Sequence, residues 1–266
     1  MTHAARTALA ASLAVLWLTA NPADVGAQTI SNQAVEASAS TGERTAGAAS
    51  FGNLFLDTIE DFRRIPSWQN VAILTAGGIG ATFSHAMDRD VTTVMSQSSG
   101  LDGLLHSGEM LGGARTQLAA ALATYTVGRI SGNSKVAAIG SDLIRAQIVT
   151  QTMTAAIKLS VRRTRPDGTQ YSFPSGHSSV TFATATVLQR NLGWKVGVPA
   201  YGLATFVAAS RVQDKRHFLS DVTFGAAIGV VAGRSVTVGR GDARFAVAPA
   251  AAPGGAAISF TWLGAN

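Results

Sequence analysis

Between Val136 and Ser160 the chain holds a long, mainly apolar run without a proline, too long for a strand, and any fold of this chain must house it as a helix. Further stretches of helical length surround it. Phe51 to Phe62 sets Phe51, Leu54, Phe55, Ile59 and Phe62 at helical spacing before Pro66 turns the chain. Trp68 to Met87 carries Gly77, Gly78 and Gly80 in its middle, which either let another helix pack closely or weaken this one, and Asp88-Arg89-Asp90 then reads as a polar link. Gly112 to Gly128, Ser178 to Leu192 with Ser178 or Ser179 as its cap, Val196 to Ala209 with Pro199 near its start, and Leu219 to Val236 complete the helices. Arg244 to Ala248 and Ile258 to Trp262 alternate like two short strands around Pro249, Pro253 and Gly254-Gly255. The expected fold is all-α, a helical bundle of about six core helices, with a short β-like C-terminal tail that forms a hairpin.

Hydrophobic residues make up 47% of the chain and charged residues 14%, low for a soluble surface, which favours a membrane protein or a tightly packed Ala/Gly-rich helical one. The helical stretches nevertheless fall short of about 18 residues free of charge, Val196 to Ala209 and Val222 to Gly233 coming nearest. Their lengths favour a soluble or peripherally bound bundle. Arg6 precedes an apolar run from Ala8 to Ala20, and Val25-Gly26-Ala27 has the small residues of a signal-peptidase site. The expected organisation is therefore a signal peptide at 1–27, a flexible lead-in and first short helix at 28–66, a helical domain at 67–238 and a tail at 239–266. Such a protein is exported, periplasmic or secreted. An uncleaved leader would instead leave it membrane-embedded, with its site outside the cytoplasm.

The formal charge is +6, and of the 21 basic residues only Lys135, Lys158, Lys195 and Lys215 are lysines. Arginine in excess suits bidentate binding of phosphate or carboxylate. No basic run interleaved with aromatics is present, so nucleic acid is not an expected partner. The absence of cysteine excludes disulfides and thiolate metal sites. His85 with Asp88 and Asp90, and His106 with Glu109, match no metal motif and read as polar residues at helix ends; no metal is expected.

Three segments carry chemistry. In Tyr171-Ser172-Phe173-Pro174-Ser175-Gly176-His177-Ser178-Ser179 a turn feeds a helix start, whose unpartnered N–H groups and dipole favour an anion. Ser175 adds a hydroxyl, Gly176 allows close approach to the backbone, and His177 can donate a proton. Upstream, Lys158 and Arg165 are almost two helical turns apart, so both face one side of a helix end that Pro166 terminates. Downstream, Arg211 precedes His217 and Asp221, which stand one turn apart. There the carboxylate can accept from one ring nitrogen and leave the other free as nucleophile or base.

Lys158 with six residues to Arg165-Pro166, then Pro174-Ser175-Gly176-His177, then Ser210-Arg211 with five residues to His217 and three more to Asp221, resembles the three-part signature of the type 2 phosphatidic acid phosphatase and vanadium haloperoxidase superfamily. The resemblance covers about residues 70 to 238 and makes 67–238 the catalytic domain. It implies that His217 attacks phosphorus and forms a phosphohistidine, with Asp221 fixing its tautomer. His177 would protonate the leaving oxygen and then activate water, while Lys158, Arg165, Ser175, Gly176 and Arg211 hold the phosphoryl oxygens. No cofactor is implied. The expected activity is metal-independent hydrolysis of phosphate monoesters or pyrophosphates, lipid-linked (phosphatidic acid-like or polyprenyl) or as a small phosphate ester, with a membrane surface as a further partner. Two alternatives share these residues: a vanadium-dependent haloperoxidase, which would bind vanadate, and a non-catalytic phosphate-binding membrane module.

Overall fold

The computed structural model describes residues 51–97, 105, 107–237, 244–252 and 255–263. The expected leader at 1–27, the lead-in from 28 to 50 and His106 lie outside the described residues. Among the described residues, nine α-helices precede two strands: α1 Phe51–Arg64, α2 Trp68–His85, α3 Asp88–Ser96, α4 Ser107–Gly112, α5 Ala114–Ile130, α6 Ser134–Val161, α7 Gly176–Leu192, α8 Trp194–Gln213 and α9 Leu219–Val236, then β1 Arg244–Ala252 and β2 Gly255–Leu263. The fold is all-α with a β tail, as expected. Chain contacts separate a helical unit, Thr45–Val238, from a second unit that contains the hairpin, in which β1 and β2 pair antiparallel from Arg244↔Leu263 to Ala252↔Gly255.

Within the helical unit, α9 runs through the middle, packed on α7, α2 and α6, while α6 also packs on α5 and α7. The main core joins α1, α5, α6, α7 and α9 through Leu54, Tyr125, Leu143, Val149, Val187 and Val236, among others. A second cluster, Ala208, Val212 and Val222, joins α8 to α9 and takes Val91 and Met95 from α3. Asp142 and Arg145 form a buried packing pair. Arg145 donates to Asp142 at 2.7 Å, to the Val236 carbonyl at 3.1 Å and to buried Asp61, which ties α1 to α6 and to the end of α9.

Three local expectations are corrected. Asp88-Arg89-Asp90 is no link but the first turn of α3, where acidic side chains meet the positive end of the helix dipole. The cap of α7 is Ser175, whose Oγ accepts from Ser178 N at 3.4 Å, so α7 starts at Gly176. The long helix α6 ends at Val161, because Arg162 adopts a left-handed conformation (φ 51) and its N–H bonds back to the Lys158 carbonyl. Arg165 therefore lies on the following loop and not on a helical face shared with Lys158. As expected, α9 begins at Leu219, so His217 precedes the Phe218 cap and is not part of the helix.

Candidate active site

The site lies where α6, α7, α8 and α9 end or begin around the loop from Arg162 to Ser175. Asp221 is its hub. The Asp221 carboxylate occupies the third position of α9 and caps the helix from within, accepting from Phe218 N at 2.8 Å. The same oxygen, Oδ2, also accepts from Ser172 Oγ and stands 3.6 Å from His217 Nδ1. Oδ1 accepts from Arg163 Nη1 at 2.7 Å, and the Asp221 carbonyl accepts from Ser175 N at 3.0 Å. One residue thus joins all three signature segments. Burial acts to raise the Asp221 carboxyl, but His217, Ser172, Phe218 N–H and Arg163 outweigh it and hold it below the usual carboxylate range.

His217 is 3% exposed, and its backbone N–H is tied to the Arg211 carbonyl at 3.1 Å, at the last turn of α8. At 3.6 Å the Asp221 oxygen is at ion-pair distance from Nδ1 and longer than a hydrogen bond, a separation that apo catalytic pairs commonly show. Burial, chiefly, lowers the affinity of the ring for a proton; Lys158 and Arg165 add to this, while Asp221 opposes it. Burial thus favours the neutral imidazole, the form with a lone pair to donate.

Lys158, in the last turn of α6, donates to the carbonyls of Tyr171 at 2.6 Å and Ser172 at 3.4 Å, which fastens the loop to the helix. Burial first, and then Arg165, push its amine down to about 8. Arg165 N donates to the Thr169 carbonyl at 2.7 Å, and its side-chain Nε is buried without a partner among the described residues. Arg211 is 1% exposed; it donates to Ser210 Oγ at 3.2 Å and to Asp214, and its Nη1 stands 3.7 Å from a Glu109 carboxylate oxygen.

His177 sits in the first turn of α7, and Gly112 of α4 lies against it so closely that an added Cβ would be 3.2 Å from the ring. Burial, then Arg211 and His217, push this ring down to about 4, and Glu109 pulls the other way. The structure therefore brings together all eight expected site residues: Asp221 stands 3.6 Å from His217, whose backbone N–H donates to the Arg211 carbonyl; Ser175 N–H donates to the Asp221 carbonyl at the start of α7, which carries Gly176 and His177; and the charges of Lys158 and Arg165 are felt at His217.

Four residues around the site are not assigned to it by the sequence, which reads Asp88 and Glu109 as polar residues at helix ends. Ser172 and Arg163 are neighbours of signature residues at positions no motif specifies. Glu109 comes from α4, whose short length gives no periodic signal. Asp88 comes from α3. It is 2% exposed and accepts from Ser220 N at 2.9 Å, Ser220 Oγ at 2.7 Å and Arg163 Nη2 at 2.7 Å, with His85 Nδ1 at 2.9 Å. Among the described residues no group of three or more His, Cys, Asp or Glu is placed to hold a metal.

Residues 140–244 match the family model of the PAP2 superfamily. The lipid A 1-phosphatase of Porphyromonas gingivalis is 42% identical over 85 residues, 30% of this chain and 19% of that protein. The decaprenylphosphoryl-5-phosphoribose phosphatase of Mycobacterium tuberculosis is 36% identical over 107 residues, 36% of this chain and 59% of that protein. The chain thus spans between about a fifth and three fifths of the length of these curated relatives. Among solved structures, the first transmembrane PAP2 type phosphatidylglycerolphosphate phosphatase from Bacillus subtilis aligns with a TM-score of 0.49 at 22% identity, over 64% of this chain and 94% of that one.

Proposed function

We propose that this chain, which over residues 140–244 belongs to the PAP2 superfamily, is a metal-independent phosphatase that hydrolyses a lipid-linked phosphate monoester or pyrophosphate through a phosphohistidine. The observation that carries the reading is the buried His217 ring, set 3.6 Å from the Asp221 carboxylate and within range of the charges of Lys158 and Arg165, where burial disfavours its protonated form. In the first step the free ring nitrogen of His217 attacks phosphorus, the P–N bond forms as the P–O bond to the leaving group breaks, and His177 gives its proton to the departing oxygen. Asp221 accepts from Nδ1–H and offsets the positive charge that grows on the ring. In the second step His177 takes a proton from water, the hydroxide oxygen attacks phosphorus, and the P–N bond breaks to release phosphate and neutral His217.

Without a metal, the phosphoryl charge must be met by fixed donors: Lys158, Arg165, Arg211, the Ser175 hydroxyl and the Gly176 N–H. A substrate phosphate beside Arg211 and His177 adds negative charge that raises the proton affinity of His177, against the burial and the cations that lower it. The lipid part of the reading rests on the outer surface. Trp68 and Phe83 of α2, Ile130 of α5 and Trp194 and Val198 of α8 are all more than half exposed, an apolar exterior suited to a lipid surface. The relatives named above act, by their names, on lipid A and on a decaprenyl-linked phosphate. Among the described helices α9 alone is long and apolar enough to cross a membrane, and it is 67% buried in the bundle, as a core helix is.

The reading is tested with the purified protein on phosphatidic acid, polyprenyl pyrophosphate, lipid A and p-nitrophenyl phosphate in the presence of a chelator. Phosphate release from at least one of them is expected, and His217→Ala abolishes it. Equal release by the variant, or release that requires an added metal, would overturn the reading.

A further inference from the structure

Arg163 lies inside the first signature segment but at one of its unspecified positions, and Asp88 lies on α3, upstream of the segment that matches the family. The planar guanidinium of Arg163 bridges two carboxylates. Its Nη1 donates to Asp221 Oδ1 and Ser220 Oγ, both at 2.7 Å, its Nη2 donates to Asp88 Oδ2 at 2.7 Å, and its face lies 4.3 Å from the centre of the Phe218 ring. We infer that Asp88 and Arg163 form a positioning arm that fixes the Asp221 carboxylate and, through it, the tautomer of His217, so that α3 belongs to the machinery of the site. The inference rests on the reading of His217 as nucleophile.

The geometry supports this over a purely structural pin. Asp221 Oδ2 serves Ser172, Phe218 N–H and the His217 side, and a carboxylate held through that oxygen alone can swing about its Cβ–Cγ bond. The grip of Arg163 on Oδ1 removes that freedom. Charge then alternates from Asp88 to Arg163 to Asp221 to the His217 ring, where positive charge develops during attack. Without the guanidinium, two buried carboxylates, one 2% and the other 0% exposed, face each other with no cation between them. Their repulsion then raises the proton affinity of Asp221. A proton on Asp221 ends its role as acceptor for Nδ1–H. Lysine cannot replace arginine fully, because a single ammonium does not span both carboxylates in the same planar fork. Asp88 is faced by His85, Arg163 and Ser220, and Asp221 by His217, Arg163 and Ser172, with its charge also felt at Lys158.

The test reads the His217 tautomer directly. The full chain labelled with 15N-histidine has five histidines, and His217→Ala assigns the signal of interest. In the wild type at neutral pH the proton sits on Nδ1. Arg163→Gln and Asp88→Asn shift His217 to a mixture of tautomers, Arg163→Lys shifts it less, and Arg63→Gln, which breaks an exposed pair on α1, leaves it unchanged. In parallel, kcat on p-nitrophenyl phosphate falls by about 10–100-fold in Arg163→Gln, the loss usual for partners that orient a working side chain, with little change in KM. Adding Asp88→Asn to Arg163→Gln costs nothing more. An unchanged tautomer in folded Arg163→Gln overturns the inference. Should that variant fail to fold by circular dichroism, Arg163→Lys and Asp88→Asn carry the same comparison. Failure of the wild type to release phosphate from any ester would sink the phosphatase reading, while the tautomer comparison still decides whether the arm positions Asp221 and His217.

Discussion

Lys158 is the site cation whose charge changes nearest physiological pH, because burial and Arg165 bring its amine down to about 8. It is cationic below that value and neutral above it, so anion binding is present below pH 8 and weakens as pH rises through it. An anion that binds beside it raises its proton affinity in turn, and binding therefore takes up protons near pH 8. Orthovanadate titrations from pH 6 to 10 are expected to show this alkaline limb, and Lys158→Arg to remove it; a limb that survives in the variant would assign the titration elsewhere. Asp221→Asn keeps the shape of the side chain but cannot stabilise a positive ring, and kcat should fall by roughly 10⁴-fold, as when an orienting aspartate is amidated in a triad. His217, Asp221, His177 and Ser175 were legible because their chemistry is local in sequence, within a turn or a helix start. Arg163, Ser172 and Asp88 were not, because their partners lie 49 to 132 positions away and only the folded chain shows the bond.

At the scale of elements, α9 holds the site together through close packing. Added Cβ atoms at Gly225, Gly229 and Gly233, one turn apart, would meet the Ser175 carbonyl at 2.7 Å, the Ser179 carbonyl at 2.3 Å and Thr186 Cβ at 2.6 Å. This small-residue ridge lets α9 press on α7 and brings Asp221 to Ser175. Gly229→Ala cannot be absorbed by a flexible neighbour, since its Cβ meets backbone; a loss of about 1–3 kcal/mol by chemical denaturation is expected. Gly202→Ala, at an exposed position of α8, meets nothing within 4 Å and should instead gain about 0.5–1 kcal/mol from helix propensity alone. A destabilised Gly202→Ala, or a neutral Gly229→Ala, would contradict the packing account. The long helices were readable from apolar spacing, and α9 has the expected bounds, Leu219–Val236. The short helix α3 was not, because acidic residues that favour a helix start look the same as a polar link.

For the molecule as a whole, fold class and the convergence of the segments follow from the sequence, whereas the exterior does not. Composition alone leaves open whether 47% hydrophobic residues fill a core or cover a surface. The structure places Trp68, Phe83, Ile130 and Trp194 outside, and the protein is expected to co-sediment with anionic phospholipid vesicles, weakly so after Trp68→Ser with Trp194→Ser. The central claim is that phosphate passes through His217. Rapid acid-free quenching of the wild type with 32P-labelled substrate, followed by peptide mapping, should trap one base-stable, acid-labile phosphate on His217 and none in His217→Ala; steady turnover with no phosphate on His217, or turnover undiminished in the variant, would contradict it.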